Sequence, residues 1–109
     1  MNFPNDENGS VLNEMHQAGV DLTKVTTVKF FQLFEDEKNA RAMAEHLETE
    51  KIAIDVEVHP DKTSGVWDVD CCIEILPSYE NIVSKEAMFE KLARKFDGYN
   101  DGWGIAVDD

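Results

Sequence analysis

Two cysteines stand side by side in the stretch VDCCIEIL, residues 69–76, with Asp68, Asp70 and Glu74 around them. A thiol can act as a nucleophile, a metal ligand or half of a disulfide, so this pair is where chemistry is sought first. The stretch favours a strand, and neighbours in a strand point to opposite faces. A disulfide between Cys71 and Cys72 is therefore disfavoured. Cys71 falls in the inward register and is expected as a small core residue. Cys72 falls outward among acids, which raise a thiol's pKa and suppress the reactive thiolate. The histidines that could serve as base or ligand, His16, His46 and His59, lie on three different segments. His59 with Asp61, or the acidic residues alone, could touch a cation, but their spacing matches no ligand pattern. Neither a phosphate-cradling glycine loop nor a G-x-S-x-G motif occurs. Paired carboxylates arise by chance in so acidic a chain. The residues read as a non-enzyme with no cofactor and no metal.

Charge points elsewhere. Ten Lys and Arg oppose 23 Asp and Glu, a formal net charge of −13. Such a surface repels nucleic acid and anionic lipid and attracts basic partners. The polar, acidic opening MNFPNDENGS does not read as a signal or transit peptide. No apolar run approaches the ~18 residues of a spanning helix. A reduced, cytoplasmic protein is expected, with residues 1–9 loose and residues 10–109 forming one domain.

The elements that must position these acids follow from periodicity. Val11, Leu12 and Met15 share a face of a short helix over 11–19, with Ser10 as a cap and Gly19 as a stop. Residues 25–34, VTTVKFFQLF, form a strand with Val28, Phe30 and Phe34 on one face and Phe31 and Leu33 on the other. Both of its faces are expected to be partly covered, one of them by the N-terminal helix. Ala40, Met43, Ala44 and Leu47 then recur at helical spacing. In IAIDVEV, residues 52–58, Ile52, Ile54, Val56 and Val58 face in while Asp55 and Glu57 face out. The next strand turns Trp67, Val69, Cys71, Ile73 and Ile75 inward. A helix over 80–96 carries Phe89, Leu92, Ala93 and Phe96, and GWGIAV offers a short last strand. After the first helix the order is β-α-β-β-α-β. That order predicts an α+β, ferredoxin-like sandwich: a four-stranded antiparallel sheet with two helices on one face and an extra N-terminal helix. Right-handed crossovers place the first and third strands at its centre.

In such a sheet the face away from the helices carries Asp55, Glu57, Asp68, Asp70 and Glu74. Directly opposed like charges cost up to ~1 kcal/mol, and helices could carry charge for solubility more cheaply. The five acids are therefore candidates for a surface that binds a basic protein segment.

The remaining question is FDGYNDGWG, residues 96–104, which puts Tyr99 and Trp103 in the most turn-prone stretch of the chain. Gly98 reads as a helix C-cap preceded by Asp97, and Asn100-Asp101-Gly102 as a turn before a strand that begins at Trp103. Together, KFDGYNDGWG at 95–104, VDCCIEIL at 69–76 and the acidic β-α-β-β-α-β order resemble the regulator of ribonuclease E activity B (RraB-like) family over about residues 20–107. The motif positions that carry over are Asp97, Asp101, Gly102, Trp103 and Gly104. The resemblance implies a non-catalytic inhibitor that binds the regulatory, RNA-binding and scaffold region of ribonuclease E and modulates mRNA decay. An acidic interaction module of immunity or antitoxin type is the alternative for such a surface.

Overall fold

The computed structural model describes residues 4–105. Its elements are α1 (Glu7–Gln17), β1 (Thr26–Phe34), α2 (Glu37–Thr49), β2 (Asp55–Pro60), β3 (Trp67–Ile75), α3 (Tyr79–Lys95) and β4 (Gly98–Ile105). Each helix begins on a side chain that satisfies an otherwise orphaned backbone N–H. Asp6 accepts from Gly9, Asp36 from Lys38 and Ser78 from Asn81. An acid occupies the first turn of each helix and a basic residue the last, as the helix dipole favours.

The strands form one antiparallel sheet in the order β2-β3-β1-β4, with β3 and β1 at the centre as predicted. The fold is the α+β ferredoxin-like sandwich. Its core is the inner face of the sheet against α2 and α3. Val28, Phe30 and Phe34 of β1 and Val69, Cys71 and Ile73 of β3 meet Ala40, Met43 and Leu47 of α2 and Ile82, Phe89 and Ala93 of α3. The Phe30 and Phe89 rings pack tilted, with centroids 4.9 Å apart. Gln32 is fully buried on the same face and accepts a weak bond from the Cys71 thiol. Its Nε2 finds no partner among the described residues.

Five expectations differ from what the chain does. Helix α1 starts at Glu7, not near Ser10, so residues 7–9 are helical; the expected loose residues 1–3 lie outside the described ones. The physical reason is the Asp6 cap, which the reading passed over. The helix packs on α3 with Leu12 fully buried, so it does not screen the open side of the sheet. Ile54 is 64% exposed instead of facing in. Alternation governs only the paired strand, which begins at Asp55; before it Ile52 and Ala53 both pack on the core and break the period.

The last two differences concern the glycine-rich stretch. Asp97, not Gly98, takes the left-handed conformation that ends α3, with φ 63°, a region that Asp tolerates better than most residues. Asn100-Asp101-Gly102 is no turn. β4 runs unbroken from Gly98 to Ile105, and its register against β1 slips between Phe31 and Gln32. Asp101 is the extra residue of this bulge, and Gly102, at φ 108°, supplies the backbone conformation it needs. The expected continuation into Ala106 and Val107 lies outside the described residues.

Gly98 has a different duty. It pairs with Phe34, and a Cβ placed on it would sit 2.2 Å from Cε2 of that ring. Gly98→Ala must push β4 or Phe34 aside in a packed core. The expected loss is about 1–3 kcal/mol, read as a lower urea midpoint with an unchanged slope.

Candidate protein-interaction face

Pairing across four strands sets the outward side chains in rows. Asp55 lies beside Cys72, Lys29 and Gly104; Glu57 beside Asp70, Phe31 and Gly102; His59 beside Asp68, Leu33 and Tyr99. Glu74 faces out one step further along β3, opposite Thr27. The structure therefore gathers all five predicted acids on the face of the sheet away from α2 and α3. They are not equivalent. Asp55, Glu57 and Glu74 are exposed, whereas Asp68 and Asp70 are half-buried and already engaged.

The engaged pair shares His59, which the sequence reading considered only as a weak cation ligand. Nε2 of His59 lies 2.7 Å from Oδ2 of Asp70, and Nδ1 lies 3.7 Å from Oδ2 of Asp68. The Asp70 hydrogen bond, against some opposing burial, holds the imidazole pKa above its ordinary value. Burial, joined by the neighbouring Asp61 carboxyl, pushes Asp68 up to about 6. Asp61 itself is held below the usual carboxylate range, first by the backbone N–H of Thr63. Below about pH 6, Asp68 thus carries a proton that it can donate to Asp61. The five acids therefore divide into Asp68 and Asp70, which their neighbours engage, and Asp55, Glu57 and Glu74, which stand exposed. One oxygen or nitrogen from each of Glu57, His59 and Asp70 lies within 4.8 Å of the others. A divalent cation could sit there only by displacing the bond between His59 and Asp70.

Neither cysteine is set up as a nucleophile. Burial pushes the Cys71 thiol up to about 12. Cys72 points outward yet is also buried, and burial raises it too. Lys29 opposes that rise, while Asp55, Glu57 and Asp70 add to it.

The glycine-rich motif lies at the other edge. Trp103 pairs with Phe30 on the inner side, half-buried against the core. Its Nε1 donates to Oδ1 of Asn8 at 2.9 Å. Asn8 in turn donates to Oε1 of Glu86 at 3.0 Å, and Asn100 donates to Oε2 of the same carboxylate at 3.1 Å. The side-chain oxygen of Asn100 accepts from the backbone N–H of Gly102. One continuous chain of hydrogen bonds therefore ties the bulge of β4 to α1 and α3. Tyr79 fastens the start of α1 further by donating to Asp6. Of the predicted motif residues, Trp103 and Gly102 belong to this clasp. Asp97 ends α3, Asp101 is exposed on the bulge, and Gly104 lies under the Phe31 ring without a side chain of its own. The sequence reading missed Asn8 and Glu86. A polar partner for a half-buried indole was the available signal, but Asn8 lay in the part taken as loose.

Among the described residues, no helix is long and apolar enough to cross a membrane. What the geometry defines is a small α+β sandwich whose distinguishing surface is an acidic sheet face, with a tryptophan clasp holding its extra helix. The chain belongs to the RraB family, regulator of ribonuclease activity B, whose model matches residues 5–105. The family is one of regulators of ribonuclease activity. No curated protein matches the chain.

Two outcomes check this geometry. Asp68 has a raised folded pKa, so its contribution to stability is present below the unfolded value of 3.8 and lost as pH rises through about 6. His59, also raised, contributes below its unfolded value of 6.5 and loses that contribution as pH climbs through its higher folded value. The melting temperature should therefore fall as pH rises from about 4 through about 6 and on past 6.5, and Asp68→Asn should flatten the lower part of that slope while sparing the upper. At the clasp, Trp103→Ala should cost roughly 3 kcal/mol as a core truncation. Trp103→Phe, which keeps most of the packing, should cost only about 1 kcal/mol for the lost indole bond, both read by urea unfolding.

Proposed function

We propose that this protein is a non-catalytic regulator that binds a basic segment in the regulatory, RNA-binding and scaffold region of ribonuclease E and thereby modulates mRNA decay in the cytoplasm. The observation that carries the reading is membership of a family of ribonuclease regulators, in a chain with a formal charge of −13. A ribonuclease region that binds RNA must offer Arg and Lys to phosphate. A rigid surface bearing Asp55, Glu57 and Glu74 competes for the same cations without being a substrate. Fixed carboxylates also favour rapid encounter, since opposite charges steer the approach. Binding is protein to protein, with no direct contact to nucleic acid.

The residues to test are Asp55 and Glu57. They are exposed and make no side-chain hydrogen bond or ion pair among the described residues, so reversing them leaves the fold alone, whereas Asp68 and Asp70 hold His59. Tagged protein should retain ribonuclease E from a lysate of its host at low salt and release it as salt approaches ~0.5 M, where exposed charges are screened within a few ångströms. Asp55→Lys with Glu57→Lys should abolish retention while preserving the melting temperature, and added wild-type protein should slow RNA cleavage by the purified nuclease. Retention indifferent to salt and to both substitutions would sink the electrostatic account. Retention of a different basic protein, with no effect on the nuclease, would favour an immunity- or antitoxin-like role.

A further inference from the structure

The acidic half of the open sheet face has an apolar neighbour. Beyond the acids of β2 and β3, the outward positions of β1 and β4 include Phe31, Leu33 and Tyr99, with Gly102 and Gly104 beside them. Tyr99 is 40% exposed, and Phe31 and Leu33 are half-buried. No helix covers them: α2 and α3 lie on the inner face and α1 packs on α3. The two glycines present no side chain, so the β4 side of the strip is lower than its neighbours. Phe31 leans toward that space, its Cε2 3.9 Å from where a Gly104 Cβ would stand.

The rows make this face a two-part surface. Glu57 and Asp70 continue into Phe31; His59 and Asp68 continue into Leu33 and Tyr99. Neighbouring strands are about 4.8 Å apart, so acid and apolar strips lie side by side, each about as wide as one stripe of side chains on a helix. Lys29 is the only Lys or Arg in these three rows, at the end nearest Gly104.

We propose that the open face seats an amphipathic helix whose apolar stripe rests on Phe31, Leu33 and Tyr99 and whose Lys and Arg side chains reach Asp55 and Glu57. This names the form of the partner segment and rests on the electrostatic reading above. Charge complementarity selects the occupant. A second copy of this chain would bring one −13 surface against another, which like-charge repulsion opposes. A purely polar basic segment would leave the apolar strip wet, and a purely apolar one would desolvate Glu57 without a cation to meet it. A helix along the β1–β3 boundary satisfies both strips, because residues three and four apart align on one side and a basic stripe can run beside them. Tyr99 and Phe31 also offer ring faces to a guanidinium.

The test uses two synthetic peptides of about 18 residues, roughly 27 Å as a helix. One is a Leu/Arg sequence with separated apolar and basic stripes; the other is oligo-arginine of equal charge. Isothermal titration should give the amphipathic peptide a Kd at least about tenfold lower, the gain expected from burying two or three apolar side chains. Phe31→Ser with Leu33→Ser should erase that preference and leave oligo-arginine binding intact. Tyr99→Lys, at an exposed position that cannot unfold the core, should do the same even if the double variant is unstable. Equal affinity for both peptides, or a preference that survives Tyr99→Lys and the folded double variant, overturns the amphipathic-helix proposal but leaves the electrostatic reading standing. Unchanged oligo-arginine affinity in Asp55→Lys/Glu57→Lys overturns the electrostatic reading itself. Concentration-dependent dimerisation in sedimentation that Tyr99→Lys abolishes would assign the strip to self-association and also overturn the proposal.

Discussion

The register between β1 and β3 is the constraint from which the rest of the molecule follows. Phe30 stands opposite Cys71, and Phe31 opposite Asp70. A slip of one residue in β3 would turn Val69, Cys71 and Ile73 to solvent and drive Asp68, Asp70 and Glu74 into the core. Each buried, unpaired carboxylate costs several kcal/mol, comparable with the whole stability of a domain this size. The alternation of β3 thus has one acceptable pairing. β2 and β4, bound to either side of the central pair, take their facing from it.

The two sides of the sheet then serve opposite ends. On the inner side, packing is dense enough that Gly98 must remain a glycine under Phe34. On the outer side, acids crowd one half, and the crowding is managed by chemistry instead of distance. His59 bridges toward Asp68 and Asp70, and Asp68 retains a proton until about pH 6. The hairpin can therefore carry more carboxylates than Coulomb repulsion would otherwise permit. The clasp at β4 performs a similar service for the N-terminal helix. Beside the buried Leu12, hydrogen bonds among Asn8, Glu86, Asn100 and the Trp103 indole link three elements there.

Most of this architecture was legible in the residues. The strict alternation of 67–75 and the helical spacing of Ala40, Met43, Ala44 and Leu47 report burial directly, so the sheet order and the outward set of five acids followed. Three kinds of information were not local. The Tyr79–Asp6 and Asn8–Trp103 bonds join positions 73 and 95 residues apart, and no window of the sequence contains them. The bulge at Asp101 reads as a turn because Asn, Asp and Gly suit both, and only pairing with β1 decides between them. The division of the five acids into free and engaged ones depends on which carboxylate His59 reaches across the hairpin. Phe31 and Leu33 were placed on the outer side correctly, but their adjacency to Tyr99 required the β4 register.

The sheet's two margins bear on how the molecule behaves when crowded. β2 is six residues long, ends in Pro60 and carries Asp55 and Glu57, while β4 is kinked by its bulge. Short, charged, proline-ended or distorted borders make poor templates for a foreign strand. A nascent or concentrated population of this chain is thereby shielded from zipping edge to edge into fibrils, and any recruit is turned away from the rim toward the broad side of the sheet.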